Sequence, residues 1–427
     1  MMHMLQLGTF KVDCTPPAGG KIGFGIDNTT ATGVRDPLWL RGFVLAANDT
    51  RYVVASLDYT GLMNSAHDLL VGALARAVEI APHQVVLHCV HQHDAPLIDF
   101  ELDAILHVET HPRAWWRSVT GRCAEAARTC LANMHSVAAV GHSETRLNGY
   151  ASNRRILGPD GKVKGMRWSR CEEEELRRAP VGTIDPMLRS VAFRDSAANL
   201  LGSMTFYATH PQVASGRRLY SGDAPGEAMR LLAEHPAGLH AFFTGAGGNV
   251  TAGKYSSVHD LESNLLTFGK RLADGIGRNL DSMIWEPVDP VNWRVSSFPF
   301  PAKPLNKDAL RAACAGERFT SVDKLTAAAL LTCIEYPGNL NYTLTLLTLG
   351  NSRVLFLPGE PFVEYQLFAQ SAIPDQFLAV AGNCGDSFLY LPLARHFEEG
   401  GYEPTSFCWC TDEFERRFKE EVTALLS

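Results

Sequence analysis

The residues best suited to chemistry lie where predicted β-strands end. The segment Gln84–Pro96, QVVLHCVHQHDAP, is an apolar strand that runs into His91, His93 and Asp94. Alternate side chains of a strand share a face, so His91 and His93 are expected to point the same way where the backbone leaves the sheet. Two imidazoles and a carboxylate suit zinc, although a short His-x-His is equally compatible with structural histidines. The metal interpretation therefore needs ligands from elsewhere in the chain.

Three other segments repeat this pattern of a strand that ends in a possible ligand. His210 follows TFYAT, Glu360 follows VLFLPG, and Tyr390 lies in GNCGDSFLYLP. Two of them have a structural alternative: Glu360 can lie in the first turn of a helix, where the helix dipole favours a carboxylate, and Tyr390 can be a packed aromatic residue. The local sequence offers no such alternative for His210.

A glycine-rich turn, Gly245–Thr251, follows the short apolar segment HAFFT. Glycines let a backbone approach a ligand closely and present N–H groups to an anion or an oxyanion. The turn lacks the lysine and the spacing of a nucleotide-binding P-loop. An oxyanion-binding role is the more suitable interpretation.

The elements that position these residues follow from hydrophobic periodicity. The pattern predicts strands over residues 51–58 and 84–90, with a helix over residues 64–80 between them. This order is a β-α-β unit, in which functional loops lie at the carboxyl ends of the strands. Further predicted helices cover 113–134, 223–234, 257–281, 307–315, 321–334 and 412–426, and further strands cover 201–209, 241–244, 341–349, 353–357 and 377–381. We therefore predict an α/β fold, a layered mixed β-sheet core flanked by helices, with the metal site at strand carboxyl ends.

Composition limits the class of protein. The chain has 427 residues, 46% hydrophobic and 20% charged, as expected for a soluble globular protein. The net charge of −7 provides no basic field, so nucleic acid is not an expected partner. No apolar window is long enough to span a membrane and no secretion signal is recognisable, so we expect a cytoplasmic protein whose ten cysteines are reduced. We expect a single domain over 1–427, with a possible subdivision at the proline-rich residues 285–306.

Several segments, taken in order, resemble the catalytic N-terminal domain of the neutral/alkaline non-lysosomal ceramidase family. They are DCTPP, DPLWLR, SLD, HQHDAP, ATHPQ, SGDAPGEA, GAGGNVT, LPGEP and the pair Tyr390 and Tyr402, which together cover nearly the whole chain. The resemblance implies a zinc ion that activates water to hydrolyse the amide of an N-acylated sphingoid base.

The resemblance also implies a role for individual residues of this chain. The implied zinc ligands are His91, His210, Glu360 and Tyr390. His93 becomes a proton-transfer histidine, and Tyr402 a further active-site tyrosine. In the segment SNRR the substrate-side arginine is Arg154, with Arg155 an equally suitable register.

Some positions depart from the family pattern. The family's Gly-Asp-Val-Ser-Pro-Asn reads GNVTAG here, so Asn249 and Thr251 replace an aspartate and a serine, and a serine nucleophile is not available. Gln92 and Asp94 replace the Thr-Ser pair around the histidines, which adds a carboxylate, and Ser387 replaces the first tyrosine of the family's pair. The family's secretion signal and C-terminal β-domain are not recognisable. These departures favour a substrate other than ceramide.

We therefore expect a zinc-dependent hydrolase that cleaves an amide, or a related acyl bond, of a small soluble substrate with metal-activated water. His93, alone or together with Asp94, transfers the proton to the leaving group, and the Gly245–Thr251 backbone with Arg154 or Tyr402 stabilises the oxyanion. Thr251 is also among the catalytic candidates. Two alternatives stay open. One is a non-catalytic metal- or ligand-binding homologue, and the other is a metal-dependent lyase or isomerase that acts on a sugar-derived metabolite.

Overall fold

Three β-sheets form the framework of the molecule. The computed structural model describes residues 5–23, 29–47, 49–233, 238–288, 290–315 and 321–427. In spatial order the first sheet contains Val85–Cys89, Thr50–Leu57, Trp39–Ala47, Gln6–Asp13 and His135–Ser136. The second contains Leu239–Thr244, Leu200–Tyr207, Met187–Arg194, Ala139–Arg146 and Ile284–Glu286. The third contains Val291–Pro299, Asn341–Leu349, Ser352–Phe356 and Phe377–Ala381.

Each sheet mixes antiparallel pairs with one parallel pair at an edge. The parallel pairs join Thr50–Leu57 to Val85–Cys89, Leu200–Tyr207 to Leu239–Thr244, and Ser352–Phe356 to Phe377–Ala381. A parallel pair needs a crossover, which a helix commonly supplies. The predicted β-α-β unit is present, although its helix ends at Ala77 because Glu79 has a left-handed backbone with φ of 58°.

Helices cover the outer faces of the sheets. The α-helices are Asn64–Ala77, Phe100–Leu106, Arg113–Cys130, Glu174–Arg178, Asp223–Leu232, Leu261–Asp281, Lys307–Ala315, Ser321–Glu335, Val363–Ser371, Ala394–Glu399 and Glu413–Leu426. Trp116 packs on the first sheet, Phe268 on the second and Phe414 on the third. The inner faces share one central core that includes Phe43, Phe193 and Phe356. The predicted layered α/β architecture is confirmed.

Two stretches of the segment 285–306 are edge strands, one in the second sheet and one in the third. Ile284–Glu286 is an edge strand of the second sheet, and Val291–Pro299 is an edge strand of the third. Prolines are tolerated at such edges because an edge strand leaves N–H groups unpaired. The number of domains stays a prediction. Among the described helices, none combines the length and the apolar character that crossing a membrane requires.

The carboxyl ends of the three parallel edge strands meet at one place. The Cys89 N–H donates to the Asn383 carbonyl at 3.0 Å, and the Gly382 N–H donates to the Thr244 carbonyl at 2.8 Å. The Thr244 hydroxyl donates to the Val90 carbonyl at 2.6 Å. Loops that leave the three sheets are therefore brought together, and these loops carry the predicted ligands.

Candidate metal centre

Three of the predicted ligands converge although they are distant in sequence. Nε2 of His91 lies 3.3 Å from Oε2 of Glu360, and Nε2 of His210 lies 3.1 Å from the same oxygen. The three ligand atoms lie within 4.8 Å of one another, and all three side chains are buried. His91 follows an edge strand of the first sheet, whereas His210 and Glu360 follow the strands beside the edges of the second and third sheets. Each sheet thus supplies one residue.

Backbone carbonyl groups orient both imidazole rings. Nδ1 of His91 lies 2.7 Å from the Thr60 carbonyl oxygen, and Nδ1 of His210 lies 2.8 Å from that of Gly247. A carbonyl only accepts a hydrogen bond, so Nδ1 donates and the lone pair of each neutral ring is on Nε2. A hydrogen bond of this kind to the outer nitrogen is typical of histidines that bind metals. The backbone at His91 is left-handed, with φ of 69°, a costly conformation that clusters at functional sites.

The donor set fits a divalent cation. Both Nε2 lone pairs and a carboxylate oxygen face a common point, and such electron-rich atoms repel one another unless a cation lies between them or both rings are protonated. Burial is the largest effect on His210 and lowers its pKa, which favours the neutral ring. Two imidazoles with one carboxylate are a known ligand set of catalytic zinc sites.

Tyr390 lies beside these three residues. The short strands Glu360–Pro361 and Tyr390–Leu391 pair in parallel, which brings Tyr390 next to Glu360. Its ring centroid lies 6.3 Å from that of His210. The side chain is 6% exposed, and burial raises the pKa of its phenol well above the usual value. A bound cation would oppose this effect if the phenolate became a ligand.

His93 lies beside the cluster but outside it. Its ring centroid is 5.1 Å from that of His91 and 6.3 Å from that of His210. Burial, followed by the neighbouring histidines, lowers the pKa of His93 well below the usual value. Its Nε2 atom is buried and has no hydrogen-bond partner. A neutral imidazole with a vacant nitrogen is suited to exchange protons with a ligand.

Two arginines share one buried carboxylate, and they face different surroundings. Glu403 is fully buried and accepts hydrogen bonds from Nε of Arg154 and Nη1 of Arg155, both at 2.7 Å. The Arg154 guanidinium lies 5.1 Å from the Tyr390 ring, whereas that of Arg155 lies 5.6 Å from the ring of Phe362. The structure therefore places Arg154, rather than Arg155, beside Tyr390.

Two predicted catalytic side chains are engaged in backbone hydrogen bonds. The Asp94 carboxylate accepts the N–H groups of Gly216 at 2.8 Å and Arg217 at 3.4 Å, which holds the loop that follows His210. The Thr251 hydroxyl donates to the Arg167 carbonyl at 2.8 Å and accepts the Gly253 N–H at 3.3 Å. Both side chains thus stabilise loops around the site.

The glycine-rich turn orients His210. The N–H groups of Gly245, Ala246, Gly248 and Val250 all donate to acceptors within the protein. The carbonyl groups of Gly247 and Val250 face Nδ1 of His210 at 2.8 and 3.2 Å. A Cβ atom at Gly248 would lie 2.4 Å from the Glu360 carbonyl oxygen, so only glycine permits this approach. These four N–H groups are not available to stabilise an oxyanion.

Sequence reasoning missed Trp168 and Glu403. The Trp168 ring is 43% exposed and lies 5.4 Å from the ring of Tyr402, which in turn lies 5.8 Å from that of Tyr390. The three rings form an aromatic row from the candidate metal centre to the surface. Glu403 could have been noticed as the acid next to Tyr402, but no sequence signal marks Trp168.

Comparison with known proteins gives the fold of this chain. No protein-family model matches it, and no curated protein matches it in sequence. Among solved structures, it matches neutral ceramidase from Pseudomonas aeruginosa with a TM-score of 0.73 and 15% identity, over 100% of this chain and 75% of that one. A ceramidase complexed with C2 matches with the same TM-score and identity, over 99% of this chain and 75% of that one. The chain therefore has the fold of the neutral ceramidases.

Proposed function

We propose that this protein is a zinc-dependent hydrolase that cleaves an amide, or a related acyl bond, of a small soluble substrate. The observation that carries the proposal is the convergence of the Nε2 atoms of His91 and His210 on a Glu360 oxygen, with both Nδ1 atoms held by carbonyls. The shared fold with ceramidases, which hydrolyse amides, supports the reaction class. Fold alone does not carry a substrate over, because one fold hosts many reactions.

His91, His210 and Glu360 would hold the ion, with Tyr390 as a fourth ligand. Zinc at such a site polarises a carbonyl group and lowers the pKa of water to about 7. His93 accepts a proton from the attacking water on its vacant Nε2 and delivers it to the leaving amine.

Tyr402 is the proposed donor to the oxygen that becomes negative during attack. Burial raises the pKa of its phenol above the usual value, so the hydroxyl group keeps its proton at neutral pH. A donor fixed in a partly buried site contributes more than one in water. Arg154, whose guanidinium also lies against Tyr390, is assigned to substrate binding.

Metal analysis tests the site. The wild-type protein should contain about one zinc ion per chain, and His91→Ala and His210→Ala should each lose most of it. His259, which is exposed, provides a matched control, and His259→Ala should keep the metal. If both ligand variants retain the wild-type zinc content, the site is misassigned.

Kinetic analysis tests the reaction. His93→Gln should retain zinc but lower kcat by a factor of about 100 or more, because general acid–base catalysis contributes about 10²–10⁴-fold. The substrate panel should include soluble N-acyl compounds, esters and a short-chain ceramide. A zinc-loaded protein that hydrolyses none of them would contradict the hydrolase assignment, and hydrolysis of the ceramide as fast as the best soluble amide would contradict the substrate assignment.

A further inference from the structure

A buried charged donor without a partner lies beside the candidate metal centre. Arg154 is 2% exposed, and its Nε donates to Glu403 at 2.7 Å. Its Nη2 atom is also buried and lacks a hydrogen-bond partner, while the Tyr390 phenol interacts with the same guanidinium. A buried donor that lacks its partner costs about 1–3 kcal/mol, and more when it is charged. The position therefore calls for an acceptor that a ligand supplies.

The charge of Arg154 is less well compensated than that of its neighbour. Both arginines share the single carboxylate of Glu403, but Arg155 also donates to Glu399 at 3.2 Å and to the Gly400 carbonyl at 2.7 Å. Arg154 has no second carboxylate of this kind among the described residues.

Aromatic rings flank the Arg154 guanidinium. It lies 5.1 Å from the ring of Tyr390 and 5.3 Å from that of Trp168. The backbone next to Trp168 is firmly held, because the fully buried Arg167 guanidinium donates to the carbonyl groups of Asn153, Leu176, Ala179, Pro180 and Val181. The exposed indole of Trp168 therefore projects from a well-held backbone and offers a surface on which an apolar or ring-shaped group can pack.

We propose that the substrate carries a carboxylate next to the scissile amide, as an N-acylated amino acid does. Arg154, oriented by Glu403, binds this carboxylate, and the amino-acid side chain lies against Trp168 and Tyr402. The planar guanidinium fork matches a carboxylate in geometry as well as in charge, whereas a neutral amino alcohol leaves the charge of Arg154 unmatched. This inference rests on the proposed hydrolase function and assigns its substrate class.

A matched pair of substrates tests the inference. N-acetyl-L-phenylalanine and N-acetyl-L-phenylalaninol differ only in a carboxylate and a hydroxymethyl group. The zinc-loaded wild-type protein should prefer the acid by about tenfold to a hundredfold in kcat/KM, since a hydrogen bond to a charged group contributes about 1.5–3 kcal/mol. Arg154→Gln should reduce this preference to less than about threefold.

Two further variants make the test specific. Arg154→Lys keeps the positive charge but lacks the planar guanidinium group, so it should keep part of the preference for the acid. This variant guards against a misfolded Arg154→Gln protein. Arg178→Gln removes the same charge from a side chain that is 80% exposed, and it should keep the full preference. Equal kcat/KM values for the two compounds, or a preference that survives Arg154→Gln, would overturn the inference while leaving the hydrolase function intact.

Calorimetric titration with the same two compounds separates the inference from the function. If neither these two compounds nor any other member of the substrate panel is hydrolysed, but the acid binds at least tenfold more tightly than the alcohol and loses this advantage in Arg154→Gln, the carboxylate site stands and the hydrolase function fails. If neither compound is hydrolysed and both bind equally, the carboxylate site fails as well.

Discussion

Glu403→Gln removes the carboxylate on which two buried arginines depend, and it should strongly destabilise the fold. Glu403 is fully buried, and its two oxygens accept from Arg154 and Arg155 at 2.7 Å each. Glutamine keeps one acceptor oxygen but presents an NH2 group to the other guanidinium and provides no charge. Arg155 retains Glu399, whereas Arg154 is left without a carboxylate partner.

The magnitude follows from the cost of an uncompensated buried charge. Breaking a buried ion pair by removing one partner typically costs about 3–5 kcal/mol. Since whole domains are stable by only about 5–15 kcal/mol, this loss would shift the urea midpoint of unfolding substantially. Urea denaturation followed by tryptophan fluorescence measures the free energy of unfolding for wild type and variant.

Glu174→Gln is the matched control. Glu174 pairs with Arg178 at the same distance of 2.7 Å, but both side chains are more than half exposed, at 61% and 80%. Exposed pairs one helical turn apart contribute about 0.3–0.5 kcal/mol, so the control should unfold almost as the wild type does. If Glu403→Gln lies within about 1 kcal/mol of Glu174→Gln, the argument that Glu403 compensates two buried charges is refuted.

Two further predictions concern aspartates away from the ligand cluster. Burial raises the pKa of Asp99 from 3.8 to about 7, so between these values the folded protein holds a proton that the unfolded chain has released. The contribution of Asp99 to the free energy of unfolding therefore falls by up to about 4 kcal/mol as the pH rises from about 4 to about 7. In urea denaturation, Asp99→Asn should lose less stability than wild type between pH 5 and 7.5. Equal losses in the two proteins would contradict this prediction. Asp94→Ala removes the acceptor of the Gly216 and Arg217 N–H groups, so the loop should open more often. Trypsin should then cleave after Arg217 several-fold faster than in wild type, as followed by mass spectrometry. An unchanged rate would show that other contacts hold this loop.

The sequence predicted the elements of this fold well where the signal is local. Strand Asn341–Leu349, strand Phe377–Ala381 and helix Lys307–Ala315 have the bounds that hydrophobic periodicity predicts. These signals are local because side chains alternate along a strand and recur every three or four residues along a helix. Helix ends were less accurate, as at Ala77, where a backbone conformation that sequence does not announce ends the helix.

The direction of side chains in loops was beyond sequence reasoning. Asp94 was predicted to lie beside the metal because it follows His91 and His93, yet its carboxylate faces the N–H groups of residues 216 and 217. The glycine-rich turn was predicted to bind an oxyanion, yet it orients His210 through its carbonyl groups. In both cases the partner belongs to a segment that is far away in sequence.

Local sequence was sufficient to propose the ligands, because His91, His210 and Glu360 each follow an apolar strand and each carries a suitable donor atom. Their convergence depends on the whole fold, since each candidate ligand follows a strand of a different sheet and the parallel pairs at the sheet edges end at one place. The pairing of Arg154 with Glu403, 249 residues apart, was decided in the same way. The physical reason is that periodicity and turn chemistry act over a few residues, whereas burial, charge compensation and hydrogen bonding act through space.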